Sequence, residues 1–235
     1  MFDELLTLVN NSILSHGGKE IELEDNLKEY FSVRGNAVIR SWLWDVPGFR
    51  RWRVTRMDAG NKIQVLNTVA YPEYINNHPI LGIDLIWFGM KNKLVAVLDF
   101  QPLIQDEEYF LTYYQGLKSL KTNYLEFNSN KDMKIYDSNN YFSPWVLFYS
   151  GTFDALETSL NNLIDKFLNT YWHIYSEKLD KYKNLSHKDV MTLHRNYDTY
   201  SCERDPAHGL FKSYFGEEWA NNFLHNFLFP LSNNQ

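Results

Sequence analysis

The segment from about Asn36 to Phe100 most constrains the fold. Short runs rich in β-branched and aromatic residues are broken there at Pro47-Gly48, Gly60-Asn61, Pro72 and Lys91-Asn92-Lys93. Such runs between turn-forming residues read as strands. The strands expected are Ala37 to Trp44, Arg51 to Met57, Lys62 to Tyr71, Ile83 to Phe88 and Leu94 to Phe100, with Trp145 to Tyr149 as a later one. A parallel neighbour needs a crossover of a dozen residues or more, and these connections are far shorter, so the block reads as an antiparallel meander.

Helical periodicity flanks this block. Phe2, Leu5, Leu6, Val9, Ile13 and Leu14 recur at helical spacing before the stop at Gly17-Gly18. From Phe153 an apolar stripe runs through Leu156, Leu160, Leu163, Ile164, Phe167, Leu168, Tyr171, Trp172 and Tyr175. Further helices are expected from near Pro206 and from about Glu217 to Leu228, the latter turning Trp219, Phe223, Leu224, Phe227 and Leu228 inward. The fold class is therefore α/β, an antiparallel sheet covered by helices. At 235 residues and 44% hydrophobic, the chain reads as one domain, 1–235, with one sizeable core. It has no internal repeat or linker-like tract, and Asn128 to Asn140 reads as a surface loop.

Composition narrows the function. A formal net charge of -6 gives no sign of nucleic acid or an anionic membrane as partner. One cysteine, Cys202, allows neither an internal disulfide nor a multi-cysteine metal site, which suits a reducing compartment. The N-terminal segment lacks a basic leader and no apolar run reaches a membrane span, so a soluble, unexported protein is expected. No GxGxxG follows a strand and no GxxxxGK[ST] occurs, so electrons for any redox chemistry must come from outside. Aromatic residues, 17% of the chain, suit either a large flat ligand or an aromatic core.

Candidate chemistry starts with Asp84, inside the apolar run Pro79-Ile-Leu-Gly-Ile-Asp-Leu-Ile-Trp-Phe88, where alternation puts Ile86 and Phe88 on its face. Desolvation raises the pKa of a buried aspartate and lets it carry a proton near neutrality. The alternative is an aspartate bonded to a turn amide after Gly82. Asn67 shares a face with Ile63, Val65 and Val69, as a satisfied core amide or a ligand contact. Asp205 precedes Pro206 and reads first as a helix N-cap. Asp99, near the end of its strand, reads as structural. His173, His194, His208 and His225 show no ligand spacing and read as surface or capping residues. Arg34, Arg40, Arg50, Arg51, Arg53 and Arg56 concentrate cationic charge in the first strands; they suit an acidic protein or ligand carboxylates, with solvated strand faces the commoner explanation.

Five stretches carry a resemblance: VPGFRRWRVTRMDAG from Val46, LNTVAYPEY from Leu66, HPILGIDLIWFG from His78, LVAVLDFQPL from Leu94 and ERDPAHGLFKSYFGEEWANNFLHNFLFP from Glu203. In these the chain resembles the ferredoxin-dependent bilin reductases, over nearly its whole length, and among them the branch leading to phycoerythrobilin. The resemblance implies a three-layer α/β/α sandwich with biliverdin IXα between the central antiparallel sheet and the C-terminal helices. It also implies no metal or bound cofactor, reduced ferredoxin as external electron donor, and a radical mechanism in which the enzyme supplies protons. The activity implied is two-electron reduction of biliverdin at the C15=C16 methine bridge to 15,16-dihydrobiliverdin. Asp84 matches the family's central-strand proton donor and Asp205 the C-terminal aspartate of A-ring reduction, while Asn67, Ile86 and Phe88 are expected against the substrate. Asn67 stands where phycocyanobilin-forming members have a histidine, which argues against that product. The resemblance further implies a monomer in the cytoplasm or a plastid stroma, with the next bilin reductase as a partner for hand-over of the product. The alternatives are four-electron reduction to phycoerythrobilin, a non-catalytic bilin carrier, and an interaction domain whose aromatics are merely core.

Overall fold

The computed structural model describes residues 1–129, 141–156, 159–176, 182 and 185–233. The sheet is antiparallel and eight-stranded, formed by β1 (Lys19–Ile21), β2 (Glu29–Phe31), β3 (Val38–Val46), β4 (Phe49–Asp58), β5 (Gln64–Pro72), β6 (Ile80–Phe88), β7 (Lys93–Gln101) and β8 (Leu147–Thr152). From β3 to β8 the spatial order follows the chain, and β1 and β2 both pair with β3. The six expected strands are all present, several extended by a few residues. Gly48 at φ +87 and Asn92 at φ +43 adopt the left-handed backbone that two of the tight turns need.

Helices cover both faces. On one side lie α1 (Asp3–Ser15), α3 (Glu107–Tyr113), α4 (Gln115–Asn123) and α5 (Leu160–Ser176); the short α2 (Asp25–Lys28) precedes β2. On the other side lie α6 (His187–Arg204), α7 (Ala207–Phe215), α8 (Glu217–Asn222) and a π-helical turn, Phe223–Leu228. The result is a three-layer α/β/α sandwich, as expected.

Strand alternation divides the core in two. Trp52, Val54, Leu66, Leu81, Leu85, Leu98 and Phe100 join Phe2, Val9, Phe167, Tyr171 and Trp172 in one apolar cluster. It is tied by Trp52 Nε1 donating to Thr68 Oγ1 (2.9 Å) and Tyr171 Oη donating to the Pro79 carbonyl (2.8 Å). Ile39, Met57, Ile63 and Val65 face the opposite way, toward Phe211, Trp219, Phe223 and Phe227.

Some elements differ from expectation. Leu14, placed in the α1 stripe, is exposed. Phe153–Ala155 is a 3₁₀ turn and the long helix starts at Leu160, so its stripe begins later than the periodicity implied. The helix expected from Glu217 changes to π-helical winding after Asn222, with its inward residues as anticipated. Most of the loop expected at Asn128 to Asn140 lies outside the described residues; Asn128 itself bridges Phe148.

Candidate active site

Three consecutive strands bring the polar residues together. β5 pairs with β6 so that Asn67 stands directly opposite Asp84, and with β4 so that Asn67 faces Thr55, one position away on that face from Arg53. Each sits where alternation turns the side chain away from the Trp52–Tyr171 core. On that side a cavity of about 370 Å³ opens between the sheet and the C-terminal helices, within the size range of small-molecule sites. Arg53, Asn67, Asp84, Ile86, Phe88 and Asp99 line its sheet wall. Tyr197, Tyr200, Asp205, Leu210, Phe211 and Phe229 come from the helical side. The cavity thus gathers all five expected site residues: Asp84, Asp205, Asn67, Ile86 and Phe88.

Asp84 is half-buried and accepts a hydrogen bond at Oδ1 from Asn67 Nδ2 (3.2 Å). Desolvation, and secondarily the charge of Asp205, push its pKa up to about 6, against the opposing effects of the Asn67 hydrogen bond and the Arg53 charge. A carboxyl so tuned holds a proton in part near neutrality and can release it, as a general acid requires. The turn-amide alternative for Asp84 finds no support, since its hydrogen bond runs across the sheet.

Asp205 lies between α6 and α7 and borders the cavity. Its Oδ1 accepts from the Ala207 backbone N–H (2.8 Å), capping α7, while the same side chain lines the cavity. Desolvation raises its pKa, partly offset by the cap and by Arg53 and His208. Asp99 is structural in geometry, as read. It is fully enclosed, accepts from Ser143 N (2.7 Å) and Ser143 Oγ (2.6 Å), and is pushed up to about 7 by burial.

Residues 7–230 match the sequence profile of the ferredoxin-dependent bilin reductases. The chain belongs to that family. Relatives of this bilin reductase include the 15,16-dihydrobiliverdin:ferredoxin oxidoreductase of a Prochlorococcus marinus strain, 60% identical over 99% of this chain and 96% of that protein. Another, of the same name, from Synechococcus sp. (strain CC9902), is 50% identical over 99% of both chains. Among solved structures, tomato phytochromobilin synthase in complex with biliverdin superposes with a TM-score of 0.84 over 100% of this chain and 84% of its own, at 20% identity, and so shares the fold. Among the described residues of this bilin reductase no helix is long and apolar enough to cross a membrane, and no three His, Cys, Asp or Glu side chains cluster as a metal site.

Two sequence expectations are corrected. His194 is neither a surface nor a capping residue. It is fully buried, accepts at Nδ1 from Arg50 Nε (3.0 Å), and burial beside that cation holds its pKa well below normal, so it is neutral. The arginine set is not a solvated strand face. Arg53 and Arg56 are 2% and 4% exposed, Arg50 and Arg51 are half-buried under aromatic rings and the C-terminal segment, and Arg34 and Arg40 alone among the six are exposed. Arg53 is the cavity-lining residue whose burial is least visible in the sequence. Its polar face, Arg51-Arg53-Thr55 against Trp52-Val54, has the pattern of a strand with one side in water, yet a helical layer covers it.

Proposed function

We propose that this bilin reductase carries out the ferredoxin-dependent two-electron reduction of biliverdin IXα at the C15=C16 methine bridge, giving 15,16-dihydrobiliverdin on the route to phycoerythrobilin. The observation that carries the reading is Asp84, a carboxyl with its pKa raised to about 6 at the centre of an otherwise largely apolar sheet wall, inside the cavity. Full-length identity to relatives of that name supports the same substrate and bridge.

The reaction adds two electrons and two protons across one carbon–carbon double bond. Reduced ferredoxin supplies the electrons singly and the chain holds no prosthetic group. Each electron added to a tetrapyrrole in an apolar cavity leaves costly charge unless a proton follows. Asp84 gives one of the two protons to the bilin, the other coming from solvent, and the carboxylate left behind is stabilised by Asn67 Nδ2 and the nearby Arg53 charge until it is reprotonated from solvent. Ile86 and Phe88, on the same face, bound the flat ligand. The enzyme works as one domain and as a monomer, in the cytoplasm or a plastid stroma, and can pass its product to the next bilin reductase.

Asp205, on the opposite wall of the cavity, favours a second reading, four-electron reduction through to phycoerythrobilin. Anaerobic turnover of biliverdin with ferredoxin and a ferredoxin-reducing system, followed by chromatography, decides between them. A blue-shifted dihydrobiliverdin as end product is expected; phycoerythrobilin moves the enzyme to the four-electron class, and bound but unreduced pigment makes it a carrier.

A further inference from the structure

Arg53 is a buried cation in the sheet wall of the cavity. It is 2% exposed, yet no carboxylate among the described residues lies within ion-pair distance, and its Nε has no hydrogen-bond partner. A buried cation without a carboxylate is costly, so its retention calls for a reason beyond packing. Its polar contact is a hydrogen bond from Nη1 to Asn67 Oδ1 (2.5 Å), with the guanidinium 5.5 Å from the centre of the Phe229 ring.

We propose that Arg53 is a positioning residue that locks the carboxamide of Asn67 in one orientation, so that Asp84 can carry its proton only on the oxygen that faces the substrate. The proposal rests on the reading of Asp84 as proton donor. A guanidinium can only donate, so whatever faces Nη1 must be the amide oxygen of Asn67. The amide NH₂ is then turned to Asp84, where Nδ2 donates to Oδ1. With Oδ1 occupied by a donor, the carboxyl proton belongs on Oδ2, which has no partner among the described residues and belongs to a side chain that lines the cavity. Without Arg53 the amide is free to turn over and offer its oxygen to protonated Asp84. The acid then donates to Asn67 instead of to the bilin, and its neutral form gains a hydrogen bond it did not have.

The charge acts in the same direction as the clamp. The titratable groups that line the cavity with Asp84 are Arg53 from β4 and Asp99 from β7 on its own sheet wall, Tyr141 ahead of β8, Tyr197 and Tyr200 from α6, and Asp205 just before α7. Of these, Arg53 opposes and Asp205 favours retention of the proton on Asp84. Losing Arg53 therefore leaves an acid that holds its proton more tightly and aims it wrongly.

The test compares Arg53→Met, Arg53→Lys and Asp84→Asn in full-length protein, with biliverdin binding, anaerobic single-turnover kinetics across pH, and infrared titration of the Asp84 carboxyl band, assigned by its absence in Asp84→Asn. Arg53→Met should bind biliverdin within about twofold of wild type but reduce it about tenfold more slowly or worse, as for a misplaced general acid. The alkaline limb of its rate profile and the Asp84 band should both move to higher pH, and Arg53→Lys should restore much of both. If Arg53→Met does not hold its fold by circular dichroism, Arg53→Gln, neutral but polar, is read for the same alkaline movement. A limb and a band both at their wild-type positions overturn the proposal, even if turnover falls, because a merely space-filling arginine would give that result. An active Asp84→Asn refutes the proton-donor reading instead; the clamp on Asn67 is then judged on the Asp84 band alone.

Discussion

The two faces of the central sheet are built from the same strands and solve opposite problems. Toward α1 and α5, Trp52, Leu66, Leu81, Leu85 and Phe100 meet Phe167, Tyr171 and Trp172 with almost no exposure. Toward the C-terminal helices, the intervening positions carry Arg53, Asn67 and Asp84 around open space. A close-packed face gives a sheet the rigidity to hold three polar side chains in line while part of its other face borders a cavity. Adjacent residues, such as Asp84 and Leu85, therefore meet different surroundings: one borders the cavity with a raised pKa, the other is close-packed.

Exchanging single residues on each face tests this division. The largest effect is expected from Asp84→Asn, which should retain biliverdin binding and lose about a hundredfold or more in single-turnover rate, the scale of a lost general acid; unimpaired reduction refutes the role. Leu85→Ala, the neighbour on the packed face, should cost about 2–5 kcal/mol in denaturant unfolding with the pH position of the rate limb unmoved. A shifted limb there shows that the faces are not independent.

Next in size is the pH dependence of stability. Asp84 and Asp99, raised to about 6 and about 7 in the folded protein, are ordinary carboxyls when unfolded. Between roughly pH 4 and 7 the folded state binds more protons than the unfolded chain, so their contribution to stability falls as pH rises through that window. Urea midpoints at pH 5 and pH 7.5 should show the drop, and Asp99→Asn should reduce it. The smallest effect expected is in Asp205→Asn. Removing a negative charge that favours the proton on Asp84 should move the alkaline limb of single turnover to lower pH, by less than about one unit. An alkaline shift contradicts the electrostatic pairing of the two aspartates.

The same division explains what the sequence disclosed. Alternation locates the long strands and puts Asp84 with Ile86 and Phe88, and Asn67 with Val65 and Val69, because period-two patterns survive whatever covers the sheet. It cannot show that Asn67 stands opposite Asp84, since register is set by turns and packing across strands. Nor can it tell a covered polar face from a wet one, which is why the burial of Arg53 and His194 escapes it. Helix α6 leaves no apolar stripe, since His194 and Asp198 share its inward side with Val190 and Tyr197. Strands β1 and β2, at three residues each and without a buried residue, are too short to show a period.

The order of the strands has a consequence for how the site arises in time. Arg53, Asn67 and Asp84 stand on three successive strands joined by short connections, residues 59–63 and 73–79, so their alignment depends on contacts between near neighbours in the chain, which form readily. Asp205 and the helical wall come from the last part of the chain. The polar row can therefore take shape on a nascent meander before the segment that closes the cavity has been synthesised. The two can also diverge separately. Exchanging the C-terminal segment for that of a relative offers a way to vary one wall of the cavity while the polar row on the sheet is inherited intact.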